Sequence, residues 1–429
     1  MEPKKFLFVS LEGLIGNAAW QVQKEGHEVK YCIQNPKEKE TADGFVPKVD
    51  NWKNEVDWAD VIVFDDVLGQ GKKAQDLRAR GKHVVGGTPY TDRLEDDRGF
   101  GQEELKKAGV PILPYQSFTS FDAAIDFVQK NPTEYVIKPN GEAANHKGLL
   151  FVGEDEQGRD VLQVLNDYKT AWEKKIPEFQ LQKKVSGVEV AVGALFNGKE
   201  FVYPINVNFE HKKLFPGELG PSTGEMGTTM FWSSPNRIFN NTLKKMEAKL
   251  AEEGYVGYID INCIVNGNGI YPLEWTARFG YPTLSIQSEG ILTPMGELFF
   301  TLAHNLPIKL RTKSGFQIGV VLVVPPFPYD DEKTFEVLSK DSVVFFKKPT
   351  EGVHLGDVKL VNGEWVVTGT SGVPLIVCGT GATMKQAQTQ VYHRIKQINI
   401  PHMYYRTDIG DRWFEDSDKL HSWGYLREV

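Results

Sequence analysis

Over the first ninety residues, short apolar runs alternate with stretches of helical spacing. Residues 5–10 (KFLFVS), 27–33, 61–65 (VIVFD) and 84–86 read as buried strands, and residues 18–25 and 72–80 as helices. Uninterrupted apolar runs separated by helices predict a parallel sheet covered on both faces. Farther along, residues 98–108 and 122–129 have helical spacing, and residues 135–138 form a strand ending in a lysine. Residues 149–153, 179–185 and 188–196 carry a β pattern. Residues 209–231 are rich in Gly, Thr, Pro and Ser and predict a long loop, which inside a compact domain usually serves a function. An amphipathic helix is expected over 240–253, and another over 291–303 that Pro307 closes. Beyond residue 308 the elements shorten. Strands are expected at 320–324, 343–346, 352–360, 365–369 and 375–379 and one helix at 384–399, a smaller α+β unit packed behind the rest.

The most informative stretch is residues 254–280, GYVGYIDINCIVNGNGIYPLEWTARFG. Two β-like runs, 258–265 and 270–277, flank Asn266-Gly267-Asn268-Gly269, a strong hairpin signal because Asn and Gly tolerate positive φ. Alternation puts Asp260 and Asn262 on one face of the first arm. Glu274 and Thr276 share a face of the second, with Arg278 just beyond. The opposite faces, Ile259, Ile261, Cys263 and Leu273, Trp275, Ala277, read as core. A turn of three or five residues would set Asp260 opposite Glu274. Like charges so placed repel unless a cation such as Mg²⁺ lies between them. An ordinary solvated polar face fits the same residues.

Composition narrows the function classes. The 429 residues are 41% hydrophobic and 25% charged, as in an ordinary globular chain of two or three domains. A net charge of −8, from 57 acidic and 49 basic residues, argues against a general nucleic-acid or membrane-surface binder. No apolar run approaches the ~20 residues that span a bilayer, and no signal-peptide pattern precedes the first strand. Three widely separated cysteines, Cys32, Cys263 and Cys378, suit free thiols in a reducing cytosol, so a cytoplasmic protein is expected.

Further chemistry lies upstream of the hairpin. Lys138 ends a strand and Lys147 sits in the Gly-bearing stretch PNGEAANHKG, where two mobile ammonium groups would reach nucleotide phosphates, or stay on the surface. Glu189 follows a turn and is placed to hold ribose hydroxyls, or to be solvated. The stretch 182–185, with Lys184 and Val185, would offer backbone groups to an adenine edge. The segment GELGPSTGEMG, containing Ser222, Thr223 and Gly224, would cradle an anion with its N–H groups. His211, Lys212 and Lys213 just before it favour that role over a plain surface loop. Residues 11–17 (LEGLIGN) carry only Gly13 and Gly16, a weak dinucleotide fingerprint, so a dehydrogenase is disfavoured.

Taken in order, a lysine strand, a lysine flap, a glutamate after a turn, a glycine-rich stretch and an acidic hairpin ending in arginine resemble the ATP-grasp superfamily. Within it, YVIKPNGEAANHKGLLFVG, EHKKLFPGELGPSTGEMGT, PLEWTARFGYP and MYYRTDIGDR are similar to segments of the phosphoribosylamine–glycine ligase family. The resemblance implies an N-terminal parallel α/β domain at 1–98, an ATP-grasp domain at 99–305 with a mobile lid at about 117–186, and a C-terminal α+β domain at 306–429. It implies ATP and Mg²⁺ (or Mn²⁺) as cofactors, and small-molecule carboxylate and amine substrates, with glycine and phosphoribosylamine as the leading pair, in purine biosynthesis. Neither nucleic acid nor membrane is an expected partner, and a monomer or a homodimer is compatible. Lys138 and Lys147 would bind ATP phosphates, with Glu189 on the ribose and Lys184 and Val185 on the base. Asp260 and Glu274 would hold the metal, and Thr276 stands where the family usually has asparagine. Arg278, with Lys147, would be catalytic and face the transferring group. Lys212, Ser222, Thr223 and Gly224 would meet substrate. The family's glycine motif, Gly-Pro-Glu loop and Asp-Pro-Glu segment, where acceptor or acid should bind, appear here as residues 11–17, 64–67 and 281–283. Alternatives are a ligase of another acid or amine and a nucleotide-binding homologue without turnover.

Overall fold

The computed structural model describes residues 1–140, 143, 149–348 and 351–426. The N-terminal sheet is parallel throughout, with spatial order Glu28–Ile33, Lys5–Ser10, Val61–Phe64, Val84–Val85. Its strands are buried on both faces, as their uninterrupted apolar runs require. Helices Gly16–Lys24 and Gln70–Ala79 follow the first and third strands. The sheet's carboxyl ends, Ser10 and Phe64, therefore open toward the rest of the chain, the usual place for a ligand in such folds. A helix absent from the sequence pattern, Pro89–Asp96, starts from a Thr88/Thr91 capping box with Pro at its first turn. It runs into Arg98–Lys107, and the pair forms a wall facing the central sheet.

That central sheet has eight strands, and every neighbouring pair in it is antiparallel. Its spatial order is Gly269–Thr276, Val256–Asn266, Val188–Asn197, Phe201–Phe215, Leu219–Ser233, Phe316–Leu322, Leu375–Gly381, Val353–Leu355. The last three come from beyond residue 305, so the C-terminal part continues the sheet. One face rests on a large apolar core that includes Val190, Val192, Val207, Phe209, Phe231, Ile259, Ile261 and Ile318. A separate antiparallel sheet, Tyr115–Phe118, Phe179–Lys183, Tyr135–Pro139, Phe151–Val152, packs with helices Phe121–Lys130 and Arg159–Trp172 around its own core. The second of these helices is also absent from the sequence pattern.

Three expectations change. The loop expected over 209–231 is the end of a long hairpin, Phe201–Phe215 with Leu219–Ser233. Its outer strands pair with Val188–Asn197 on one side and Phe316–Leu322 on the other, and these ladders outweigh the turn-forming residues. The single helix expected over 240–253 is broken at Thr242, whose backbone leaves the helical region and whose Oγ1 donates to Ile238 O at 2.7 Å. The terminal helix stops at Ile395, and Ile398–Asn399 pairs with Phe345–Phe346.

The hairpin tip is tied to the C-terminal segment by Arg406, which is fully buried. Its guanidinium donates to Lys213 O at 2.9 Å, Glu218 Oε1 at 2.7 Å, and Asp408 Oδ1 and Oδ2 at 2.8 and 2.7 Å. Replacing Arg406 with Met leaves the two carboxylates facing each other without their cation. It should lower unfolding stability by about 3 kcal/mol, readable as a reduced urea midpoint.

Candidate functional site

The acidic ribbon forms as a tight hairpin. Asn266 Oδ1 accepts from the N–H groups of Asn268 and Gly269, at 2.9 and 3.2 Å, which sets a two-residue turn. The register differs from the one a three- or five-residue turn would give. Asp260 lies opposite Thr276, and Asn262 opposite Glu274. A bulge between Cys263 and Asn262 on the pairing turns Leu273 out of the apolar face, and it lines the cleft instead of the core. Cross-strand partners share a face, so Asp260, Asn262, Glu274 and Thr276 still project together. Ile259, Ile261, Cys263, Trp275 and Ala277 enter the core on the other side.

The same polar face continues across two more strands to Glu189, Glu210 and Lys212. Gly193 lies beside Asp260, and any Cβ there would stand only 2.6 Å from Asp260 Cβ. Lys212 is the centre of the arrangement. Its ammonium is 2.7 Å from Glu274 Oε1, 3.1 Å from Glu189 Oε1 and 3.2 Å from Glu210 Oε2. Burial would lower its pKa, but the three carboxylates hold it well above the usual lysine value. Burial would likewise raise Glu189, and Lys212 more than offsets this, keeping it below the usual range. Burial, followed by the nearby Glu210 charge, pushes both Asp260 and Glu225 well up. Asn262 Nδ2 donates to Glu189 Oε1 at 2.9 Å, while Asp260 Oδ1 and Asn262 Oδ1 have no hydrogen-bond partner.

A cleft of about 530 Å³ lies over this face. Its far wall is Leu94, Glu95, Asp96, Arg98, Gly101, Gln102 and Leu105, and its floor includes Glu210, Lys212, Gly224, Glu225, Asp260, Glu274, Thr276 and Arg278. Arg278 ties the walls together. Its Nε is 3.2 Å from Glu95 Oε1 and 3.6 Å from Asp66 Oδ1, and Nη1 donates to Phe279 O at 3.1 Å. Glu95 Oε2 also accepts from the N–H of Ala277 at 2.7 Å.

The other sequence-nominated residues fall into place unevenly. Lys138 is buried and donates to Gln182 Oε1 at 2.6 Å. Burial and the neighbouring Arg98 lower its pKa to about 7, with Glu274 acting in the opposite sense. Lys184 pairs with Glu134 at 2.8 Å and, with Val185, lies in the link between the smaller sheet and the central one, outside the cleft lining. Thr223 is on a strand, its Oγ1 donating to Lys212 O at 2.8 Å, and Ser222 is paired with Lys213. These two shape the backbone that carries Lys212. Lys147 lies outside the described residues. Sequence reasoning overlooked Glu95, Arg98, Glu210 and Glu225. Glu210 was legible as the residue two before Lys212 on one strand face. The wall residues belong to helices whose position no local pattern reveals.

The donor set fits a divalent cation with a triphosphate. Among the described residues no three His, Cys, Asp or Glu side chains converge on an ion by themselves. Mg²⁺ commonly takes one or two carboxylates and completes its shell with phosphate oxygens and water. The unpartnered Asp260 Oδ1 and the Glu274 carboxylate supply that number.

An antiparallel sheet bearing this acidic, lysine-centred face, with a smaller sheet presenting Lys138 above it, defines an ATP-grasp protein. Two profiles of one family match the chain: phosphoribosylglycinamide synthetase, ATP-grasp (A) domain, over residues 96–284, and the C domain of the same synthetase over residues 317–412. The chain belongs to the phosphoribosylglycinamide synthetase family. It is 26% identical over 371 residues to phosphoribosylamine–glycine ligase of Streptococcus pneumoniae, covering 84% of this chain and 85% of that protein. It is 26% identical over 335 residues to the Listeria monocytogenes ligase, covering 74% and 76%. Among solved structures it is similar to phosphoribosylamine–glycine ligase of Thermotoga maritima, with TM-score 0.70, 22% identity, and coverage of 94% of this chain and 100% of that one. The biotin carboxylase domain of Hydrogenobacter thermophilus 2-oxoglutarate carboxylase, solved with MgADP, shares the fold at TM-score 0.63 and 13% identity, covering 99% of each chain.

Lys138, whose pKa burial lowers to about 7, gives a direct handle. A polyphosphate beside it would favour the ammonium form and raise that pKa. Nucleotide binding at pH 7.5 should therefore take up a proton. Calorimetry in two buffers of different ionisation enthalpy should register the uptake, and Lys138→Gln should abolish it.

Proposed function

We propose that the protein is an ATP-dependent carboxylate–amine ligase working through an acyl phosphate. The observation that carries this reading is the convergence of Glu189, Glu210 and Glu274 on Lys212 beneath a cleft that Arg278 also lines. The relatives' names make glycine with phosphoribosylamine the first pair to assay, and purine biosynthesis the first pathway. Another acid or amine is the alternative within the same mechanism.

The chain's residues have separable tasks. Lys138, with Lys147, engages the phosphates, and Glu189 the ribose. Lys184 and Val185 border the base. Asp260 and Glu274 hold the metal, which when bound neutralises charge on the transferring phosphoryl group. Lys212, ion-paired with Glu189, Glu210 and Glu274 on the floor, would meet substrate there. Arg278, fixed by Glu95 and Asp66, presents a planar cation to the phosphoryl or acyl-phosphate oxygens. No protein nucleophile is required. The carboxylate attacks the γ-phosphorus, ADP leaves, and the amine then displaces phosphate from the acyl carbon. The unit around residues 117–186 closes over the cleft to keep water from the acyl phosphate. We place the enzyme in the cytoplasm, in keeping with three buried free cysteines. No helix among the described residues is long and apolar enough to cross a membrane.

Phosphate and ADP release with ATP, Mg²⁺ and paired acids and amines tests the reading. Glu274→Ala should lower amine-dependent ADP release by about 100-fold or more, the scale of losing one electrostatic partner of the reacting group. Unchanged turnover in that variant would refute the metal role. Nucleotide binding without ADP formation from any pair would leave a nucleotide-binding homologue instead.

A further inference from the structure

A smaller cavity adjoins the cleft at Gly280 and Tyr281. It lies at the carboxyl ends of the parallel sheet, where Asp65 follows the third strand. Ligands of such folds collect at that edge. Helix Gly16–Lys24, through Asn17 and Gln21, and helix Thr283–Gly290, through Ser285 and Ser288, form two of its walls. The first helix begins here without a side-chain cap, which leaves N–H groups of its opening turn available to an anionic group. The placement of that turn against the second helix therefore decides what the cavity admits.

A side chain from the C-terminal strand Val353–Leu355 joins the two walls. His354 is 7% exposed and lines neither the cavity nor the cleft. Its Nδ1 is 2.9 Å from Asn17 Nδ2, and its Nε2 is 3.0 Å from Glu289 Oε1. The N–H of Leu355 donates to Asn17 Oδ1 at 3.1 Å, which turns the Asn17 amide nitrogen toward the imidazole. Nδ1 is then an acceptor, so the ring proton sits on Nε2 and is donated to Glu289. Burial would raise the Glu289 pKa, and the His354 hydrogen bond, helped by the Lys313 and Arg394 charges, more than offsets this. A hydrogen bond to an ionised carboxylate is of the stronger kind. Asn17, His354 and Glu289 thus form one chain of hydrogen bonds from the first wall to the second.

We propose that His354 is a positioning residue for the amine substrate. Through Asn17 and Glu289 it fixes the two helices where the cavity meets the cleft, and the amine is received there. This rests on the ligase reading above and adds to it a residue that touches no reacting atom. The floor around Lys212 takes no part in this chain of hydrogen bonds, so nucleotide binding does not depend on it.

Steady-state kinetics on the full chain, with glycine and phosphoribosylamine, test the assignment. His354→Phe should raise the amine KM by about tenfold, the scale of one lost buried hydrogen bond, with kcat and the ATP KM within about twofold. Asn17→Ala should do the same, and the double variant should be no worse than either single one, because both break the same chain. Glu289→Gln keeps an oxygen for Nε2–H and should raise the amine KM less than Glu289→Ala does. Should His354→Phe not fold, Asn17→Ala and the Glu289 pair carry the same split. An unchanged amine KM, a parallel rise in the ATP KM, or additive effects in the double variant would overturn the proposal. Ribose 5-phosphate, titrated calorimetrically into the MgADP complex, reads the cavity without turnover. Its binding should weaken about tenfold in His354→Phe while MgADP affinity holds. That weakening without ADP formation from any acid and amine would count against the ligase reading and leave the positioning role standing. Equal binding by variant and wild type, or no binding by the wild type, would overturn it.

Discussion

One ammonium, that of Lys212, holds together carboxylates that would otherwise repel. Glu189, Glu210 and Glu274 come from three different strands, and each contributes an oxygen within 3.2 Å of Lys212 Nζ. Moving such charges out of water is costly unless they are paired. The pairing therefore lets the polar face of the sheet persist beneath a cleft instead of being covered. It also leaves the site dependent on cations, because any change in Lys212's position exposes the glutamates to one another. The lysine thereby keeps the floor in shape.

The rest of the fold serves to bring these strands side by side. The hairpin bearing Glu210 and Lys212 is paired on both edges, and its tip is fastened by the buried Arg406 to a segment almost two hundred residues later. Farther along the same sheet, Asn17 and Glu289 bracket His354, at 2.9 and 3.0 Å. They join the first turn of helix Gly16–Lys24, the helix Thr283–Gly290 and a C-terminal strand. Arg278 does the same at the cleft itself, reaching from the acidic ribbon to Glu95 on a helix of the opposite wall. The site is thus made at a junction of three chain regions, and its electrostatics belong to all of them.

The two halves of the cleft differ in kind. At the ribbon, acidic residues are matched by Lys212. Toward the N-terminal sheet, Arg278 pairs with both Asp66 and Glu95, and burial pushes the Asp65, Asp96 and Glu225 carboxyls up. Beside the second, this chain has its own sequence at residues 11–17, 64–67 and 281–283.

The sequence by itself determined the parallel N-terminal sheet, the Asn-Gly-Asn-Gly hairpin and the common face of Asp260, Asn262, Glu274 and Thr276. Each follows from local rules: buried runs between helices, positive-φ turn residues, and a side-chain period of two. Motif order was also legible, since it survives without knowledge of distance. The tertiary structure alone decided that Asp260 faces Thr276, because a bulge and a two-residue turn shifted the pairing by a step that local pattern does not encode. It alone turned a glycine-rich stretch into a paired strand and set Glu95 and Arg98 across from the ribbon. Those outcomes depend on ladders and charges contributed from far along the chain, and the free energy of such contacts is absent from any short window of sequence.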